Sequence, residues 1–150
     1  MVKEATVKEE KVNFNVIGRI HLLPEDVRIK INELIEFTKD NDKNFINLCI
    51  MYDGQEEIVD AVKEIIRNGV KEEDVDRDII KNYLYTRDFP EVDYIIRTGM
   101  EDGARISGFL LWDASYAEFK FRTDLWPDYN KEMVLKDIEE YANRNRRKGK

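Results

Sequence analysis

The stretch Phe45-Ile46-Asn47-Leu48-Cys49-Ile50-Met51-Tyr52 is almost wholly apolar and stops at Asp53-Gly54. A run of this kind closed by a turn pair has the pattern of a strand covered on both faces, and it points to a central strand of a parallel sheet. The segments before it agree. Val12-Asn13-Phe14-Asn15-Val16-Ile17 alternates apolar with polar residues ahead of Gly18-Arg19, as a strand ending in a turn does. Between the two, Pro24 suits a first helical turn, Glu25 and Asp26 complement its positive end, and Val27, Ile31, Leu34, Ile35 and Thr38 recur at helical spacing. A helix over 24–40 is predicted.

The alternation continues along the chain. Ile58, Val59, Val62, Ile65 and Ile66 give a second amphipathic helix closed by Asn68-Gly69, and a third is expected over 76–85. Asp93-Tyr94-Ile95-Ile96-Arg97-Thr98-Gly99 reads as a short strand, 116–121 as a fourth, and 130–147 as the last helix. Strand and helix in turn imply right-handed crossovers, so the fold class is α/β: a mainly parallel sheet of about four strands with flanking helices.

A length of 150 residues and 17.9 kDa suits one domain, taken as 12–150 behind a charged lead-in over 1–11. A net charge of −7 argues against a general nucleic-acid binder, which needs a basic face to release counterions. One cysteine, Cys49, and one histidine, His21, exclude an internal disulfide and a multi-Cys/His zinc site, which suits a reducing compartment. The longest apolar run is Phe109-Leu110-Leu111-Trp112, far short of a membrane span, and the lead-in carries six charges where a secretory signal is apolar. A cytoplasmic protein is expected.

Open parallel sheets bind ligands beyond the carboxyl ends of their strands, here Gly18-Arg19, Tyr52-Asp53-Gly54, Arg97-Thr98-Gly99 and the residues after Phe121. The densest group is Arg97-Thr98-Gly99-Met100-Glu101-Asp102-Gly103-Ala104-Arg105-Ile106-Ser107. Two guanidiniums, two glycines and two hydroxyls are what a diphosphate needs: planar donors, free backbone N–H groups and side-chain hydroxyls. The alternative is a surface network in which Arg97 and Arg105 pair with Glu101 and Asp102. Spacing alone leaves both open.

From Arg97 onward the sequence resembles the cis-prenyltransferases, the undecaprenyl (polyprenyl) diphosphate synthases and their heteromeric partners. The resemblance lies in Arg97-Thr98-Gly99, Arg105-Ile106-Ser107-Gly108-Phe109-Leu110-Leu111-Trp112, Tyr116-Ala117-Glu118-Phe119 and Leu125-Trp126-Pro127-Asp128-Tyr129. Val16-Ile17-Gly18-Arg19, Tyr52-Asp53-Gly54 and Tyr83-Leu84-Tyr85-Thr86 fall in the same order. The resemblance implies condensation of isopentenyl diphosphate onto an allylic prenyl diphosphate, with Mg²⁺ as helper. It assigns Arg97, Arg105 and Ser107 to the isopentenyl diphosphate and Glu118 to the metal. Read from the residues alone, Glu118 is the polar side of a strand beside Phe119 and Phe121. The basic end 144–150 would complement its own helix dipole, but the resemblance implies that Arg147-Lys148-Gly149 crosses a dimer interface to the partner's diphosphate. A homo- or heterodimer with a cis-prenyltransferase subunit, and membrane contact through the lipid product, are likewise implied.

The family's catalytic Asp-Gly-Asn motif has no counterpart before Val12, and Asp53-Gly54 follows the wrong strand to replace it. Gln55, Gly108 and Asp113 depart from the usual arginine, asparagine and glutamine, and the 97–105 segment is two residues longer than the common form. An incomplete version of the family fold is therefore expected, with an exposed sheet edge, and inactive when isolated. Three roles follow: part of a synthase completed by an amino-terminal segment, a noncatalytic partner, or a diphosphate-binding domain without catalysis. Phe109, Trp112, Phe119, Phe121 and Trp126 read as core or interface rather than as ligands.

Overall fold

A computed structural model of the protein describes residues 4–101 and 103–144. It divides into two compact units, Met1–Asp88 and Phe89–Lys150. Within the first, the order is α1 (Glu4–Glu9), β1 (Val12–Ile17), α2 (Glu25–Thr38), β2 (Asn44–Cys49), α3 (Gly54–Arg67) and α4 (Arg77–Tyr83). The lead-in thus forms a short helix, and its Val7 is buried.

The strands β1 and β2 pair in parallel from Val12↔Asn44 to Ile17↔Cys49. Side-chain amides tie α2 to this ladder. Asn13 Nδ2 donates to the carbonyls of Thr38, Lys39 and Asn41 at the end of α2, and the buried Thr38 hydroxyl accepts from Phe14 N at 3.1 Å. These bonds satisfy carbonyls that a helix end otherwise leaves open. Between the strand end and the following turn, Gly18 sits at φ +118°, and a Cβ there would fall 2.2 Å from the Ile50 carbonyl oxygen. Only glycine permits that approach.

The helix α3 starts on Asp53, whose carboxylate accepts from Gln55 N and Glu56 N at 2.9 and 3.2 Å. This is an N-cap, the ordinary use of an aspartate at such a position. One turn later the buried Glu57 accepts from Tyr52 Oη and from Thr86 N, the latter at 3.1 Å. A buried carboxylate is tolerated only when so satisfied, and these bonds fix α3 against the segment after α4.

The expectation of two-sided cover for the Phe45–Tyr52 stretch is corrected. Among the described residues strand β2 pairs with β1 alone, Phe45 is 60% exposed, and Ile46 and Leu48 are exposed as well. The helices of this unit pack on β1 and on each other instead.

In the second unit, β3 (Tyr94–Arg97) and β4 (Glu118–Phe121) pair in parallel from Tyr94↔Glu118 to Arg97↔Phe121, followed by α5 (Lys131–Ala142). The fold class is α/β with parallel strands throughout, and the four strands form two ladders of two. Helix α5 is capped by Asn130, which accepts from Glu132 N and Met133 N. It is held by Asp137, 1% exposed, which takes Arg122 Nη1 at 2.8 and 3.1 Å and Tyr129 Oη at 2.8 Å. No helix among the described residues is long and apolar enough to cross a membrane.

Candidate functional site

The candidate site lies at the carboxyl end of β3. Backbone pairing carries on beyond the strand, with Arg122 N on the Arg97 carbonyl, Met100 N on that of Arg122 and Gly99 N on that of Asp124, each at 2.8 Å. Gly99 adopts φ +69°, which turns the chain out of the sheet. The loop comes back through two successive left-handed residues, Ser107 at φ +49° and Gly108 at φ +75°. A serine in that region is strained by about 1 kcal/mol or more.

That reversal places Ser107 against Arg97. Nη1 of Arg97 donates to Ser107 Oγ at 3.1 Å and to the Arg105 carbonyl at 2.7 Å. Arg97 and Ser107, two of the sequence-predicted residues, are therefore brought together. Arg105 meets Arg97 through its backbone, and both Arg105 and Ser107 are exposed while Arg97 is half-buried. With its oxygen accepting from Arg97, the Ser107 hydroxyl keeps its own hydrogen available as a donor.

The other arginines near strand ends are differently placed. Arg19, after β1, holds both oxygens of Asp60 at 2.9 Å and also reaches Glu56, and Tyr85 Oη donates to Asp60 as well. Arg19 and then Tyr85 hold the Asp60 carboxyl far below the usual carboxylate range, and burial together with Asp60 pushes the Tyr85 phenol up to about 12. Arg122 is shared by Asp124 and Asp137. Among the described residues no carboxylate pairs with Arg97. Sequence reasoning missed the Arg19 cluster, although acids at 56 and 60, one helical turn apart, are a readable signal for it.

Glu118 stands elsewhere. It opens β4 opposite Tyr94, three residues down the ladder from Arg97 and so about 10 Å away. Its carboxylate is paired with Arg144 at 3.0 Å. Magnesium is the cofactor the sequence implies, and these residues do not fit it: one carboxylate, already neutralised by a guanidinium, is a poor ligand set for a hard cation that prefers several oxygens. No group of three metal-ligating side chains occurs among the described residues. Arg147 and Gly149 lie outside the described residues.

Three comparisons bear on this site. The Prenyltransf family model, that of the undecaprenyl diphosphate synthases, matches residues 1–149. A tritrans,polycis-undecaprenyl-diphosphate synthase (geranylgeranyl-diphosphate specific) of Methanocaldococcus jannaschii is 42% identical over 146 residues, covering 93% of this chain and 51% of the relative. An isoprenyl transferase of Rickettsia bellii is 43% identical over 139 residues, covering 93% and 60%. The chain thus spans between half and three fifths of the length of these relatives. Among solved structures, a lavandulyl diphosphate synthase from Lavandula x intermedia in complex with dimethylallyl diphosphate superposes with a TM-score of 0.89 at 27% identity, covering 98% of this chain and 64% of that one. A probable undecaprenyl diphosphate synthase from Campylobacter jejuni gives 0.81 at 32%, covering 98% and 67%.

Proposed function

The chain belongs to the undecaprenyl diphosphate synthase family of cis-prenyltransferases, and from that premise we propose that its segment 97–107 holds isopentenyl diphosphate for cis elongation of an allylic prenyl diphosphate. The observation that carries this reading is the state of Arg97. It donates to two neutral oxygens, a carbonyl and a hydroxyl, and no carboxylate among the described residues cancels its charge, whereas Arg19, Arg122 and Arg144 are each bound to two carboxylates. A guanidinium at a strand's carboxyl end, with no carboxylate partner among the described residues and an exposed hydroxyl beside it, suits a diphosphate.

In the condensation, the terminal alkene carbon of isopentenyl diphosphate bonds to C1 of the allylic partner. Diphosphate leaves from that carbon with the bonding pair, and a proton is lost from C2 of the isopentenyl unit. Arg97 and Ser107 act by position: they fix the head of the nucleophile so that its alkene is aimed, which removes orientational freedom from the barrier. Arg105 adds a second cation on the same loop. Arg147 and Gly149 serve the diphosphate of a partner subunit. Magnesium, which the family uses in general, has no assigned ligand on this chain.

The 150 residues contain no Asp-Gly-Asn segment. The allylic half of the site therefore comes from another polypeptide segment, in a continuous or a separate chain, and the 150 residues alone do not elongate. The setting is cytoplasmic, with the lipid product meeting the membrane surface.

Calorimetry with isopentenyl diphosphate tests the first part. Arg97→Ala should weaken binding at least about tenfold, the low end for one charged hydrogen-bonded contact; equal affinities would refute it. Radiolabelled isopentenyl diphosphate, farnesyl diphosphate and MgCl2 test the second. Product is expected only when a segment carrying Asp-Gly-Asn is added, and product from the pure chain would overturn the partner requirement. Activity gained with a full-length homologue and reduced by Arg147→Ala would assign the noncatalytic-partner role.

A further inference from the structure

Glu118 is engaged by its own chain through one carboxylate oxygen. Its Oε2 accepts from Arg144 Nη1 at 3.0 Å, and the same nitrogen donates to the Phe119 carbonyl at 3.3 Å. Nη2 of Arg144 donates to Glu140 Oε1 at 2.7 Å, while the other oxygen of Glu140 takes Lys120 Nζ. Glu118 and Lys120 are two residues apart in β4 and so share one face, turned to α5; Phe119 and Phe121 stack on the other at 5.9 Å.

Two acids and two bases therefore close a charge-neutral network between β4 and the end of α5. It is not an ordinary surface pair. The Glu118 and Arg144 side chains are 26% and 28% exposed, and the guanidinium stands over the Tyr94 ring, 5.3 Å from its centroid. That ring is stacked on Tyr141 at 4.5 Å. Hydrogen bonds from Lys120 and Arg144 hold Glu140 down to about 2.

A divalent cation at Glu118 would have to displace a guanidinium gripped by two carboxylates, a carbonyl and an aromatic face, and would then face Lys120. We infer that Glu118 is a positioning residue and not a metal ligand: it latches α5 to β4 through Arg144, the residue from which the basic segment 144–150 starts. The latch stands on these contacts alone; its service to a diphosphate rests on the function proposed above.

The test uses the full chain and hydrogen exchange of the amides around Arg144. Glu118→Gln and Arg144→Gln should each speed exchange roughly fivefold, the scale of a partly shielded ion pair, and the double variant should be no faster than either. Arg144→Lys should recover part of the protection, because an ammonium can hold one of the two acids. Millimolar MgCl2 should leave exchange at 118–120 and 140–144 of the unaltered protein unchanged, a measurement that needs no variant. In the complemented enzyme, Glu118→Gln should raise KM for isopentenyl diphosphate without changing the magnesium concentration at half-maximal rate. Additive single effects, or a magnesium-dependent protection that vanishes in Glu118→Gln, would overturn the latch. Unchanged diphosphate binding in Arg97→Ala would instead overturn the proposed function and leave the latch standing.

Discussion

Replacing Asp137 with alanine removes the acceptor of three hydrogen bonds in a site that is 1% exposed. The Arg122 side chain, 17% exposed, is left with Asp124 as its partner, and the Tyr129 hydroxyl loses its acceptor. Breaking a buried ion pair by removing one member costs about 3–5 kcal/mol, since the survivor stays desolvated. Because Asp124 still holds Arg122 at 2.8 Å, the low end applies, about 3 kcal/mol. Against a total stability of about 5–15 kcal/mol that is a large fraction. Both tryptophans, Trp112 and Trp126, belong to the unit Phe89–Lys150, so their fluorescence in urea reports the unit that Asp137 holds. With a slope of about 1–3 kcal/mol per molar, the midpoint should fall by roughly 1–3 M. Asp137→Asn, which keeps one carbonyl oxygen, should lose less. The effect also has a pH signature. Burial, with help from Asp137, raises the Tyr129 phenol from its usual 10 to about 12. A raised acid is more protonated when folded, so its stabilisation is full below pH 10 and is lost as pH rises to 12. The gap between wild type and Asp137→Ala should narrow across that window. A midpoint for Asp137→Ala within roughly 0.3 M of wild type would refute the reasoning.

Gly18→Ala should destabilise the first unit by at least about 3 kcal/mol, since the added Cβ meets a carbonyl oxygen in a backbone conformation that L residues avoid; hydrogen exchange of β1 and β2 amides measures it, and full protection would contradict the contact. Glu140, held down to about 2 first by Lys120 and then by Arg144, contributes stability that is present above its usual value of 4.5 and lost as pH falls toward 2. Protection at the end of α5, taken relative to the intrinsic exchange rate at each pH, should therefore fall over that interval, and less so in Lys120→Gln; identical protection profiles for the two proteins would exclude the pairing.

How legible the elements were depended on how local their cause is. The strands at 12–17 and 94–97 and the helices from Glu25, Gly54, Arg77 and Lys131 follow from periodicity, caps and glycines, all written within a few residues. Asp53 illustrates this: cap position and helix start sit next to each other in the sequence, and the structure uses them so. The covering of β2 was not legible. An apolar run records a demand for cover but says nothing of what meets it, and in this chain β1 supplies one hydrogen-bonded edge and no face. The short α1 was missed because its buried Val7 sits among charges that mask any helical stripe.

The candidate site divides along the same line. Arg97 and Ser107 are ten residues apart on one loop, so their encounter could be suspected from composition. Which of the arginines keeps its charge available could not, because the neutralising acids come from afar: Asp60 for Arg19 is 41 residues away, and Glu118 for Arg144 is 26. A sequence shows that each guanidinium has acids near it in the chain; only the fold decides whether an acid stands within bonding distance. Arg19, Arg122 and Arg144 are spent on holding helices to strands, and their partners bind too firmly for an incoming phosphate to compete cheaply. Arg97 bonds to neutral oxygens, and under the proposed function a phosphate displaces them, because a charged acceptor makes the stronger hydrogen bond. The same contrast underlies the positioning role inferred for Glu118: a carboxylate whose charge is met by Arg144 has less reason to attract a cation, just as an arginine with no carboxylate partner among the described residues keeps its reason to attract an anion.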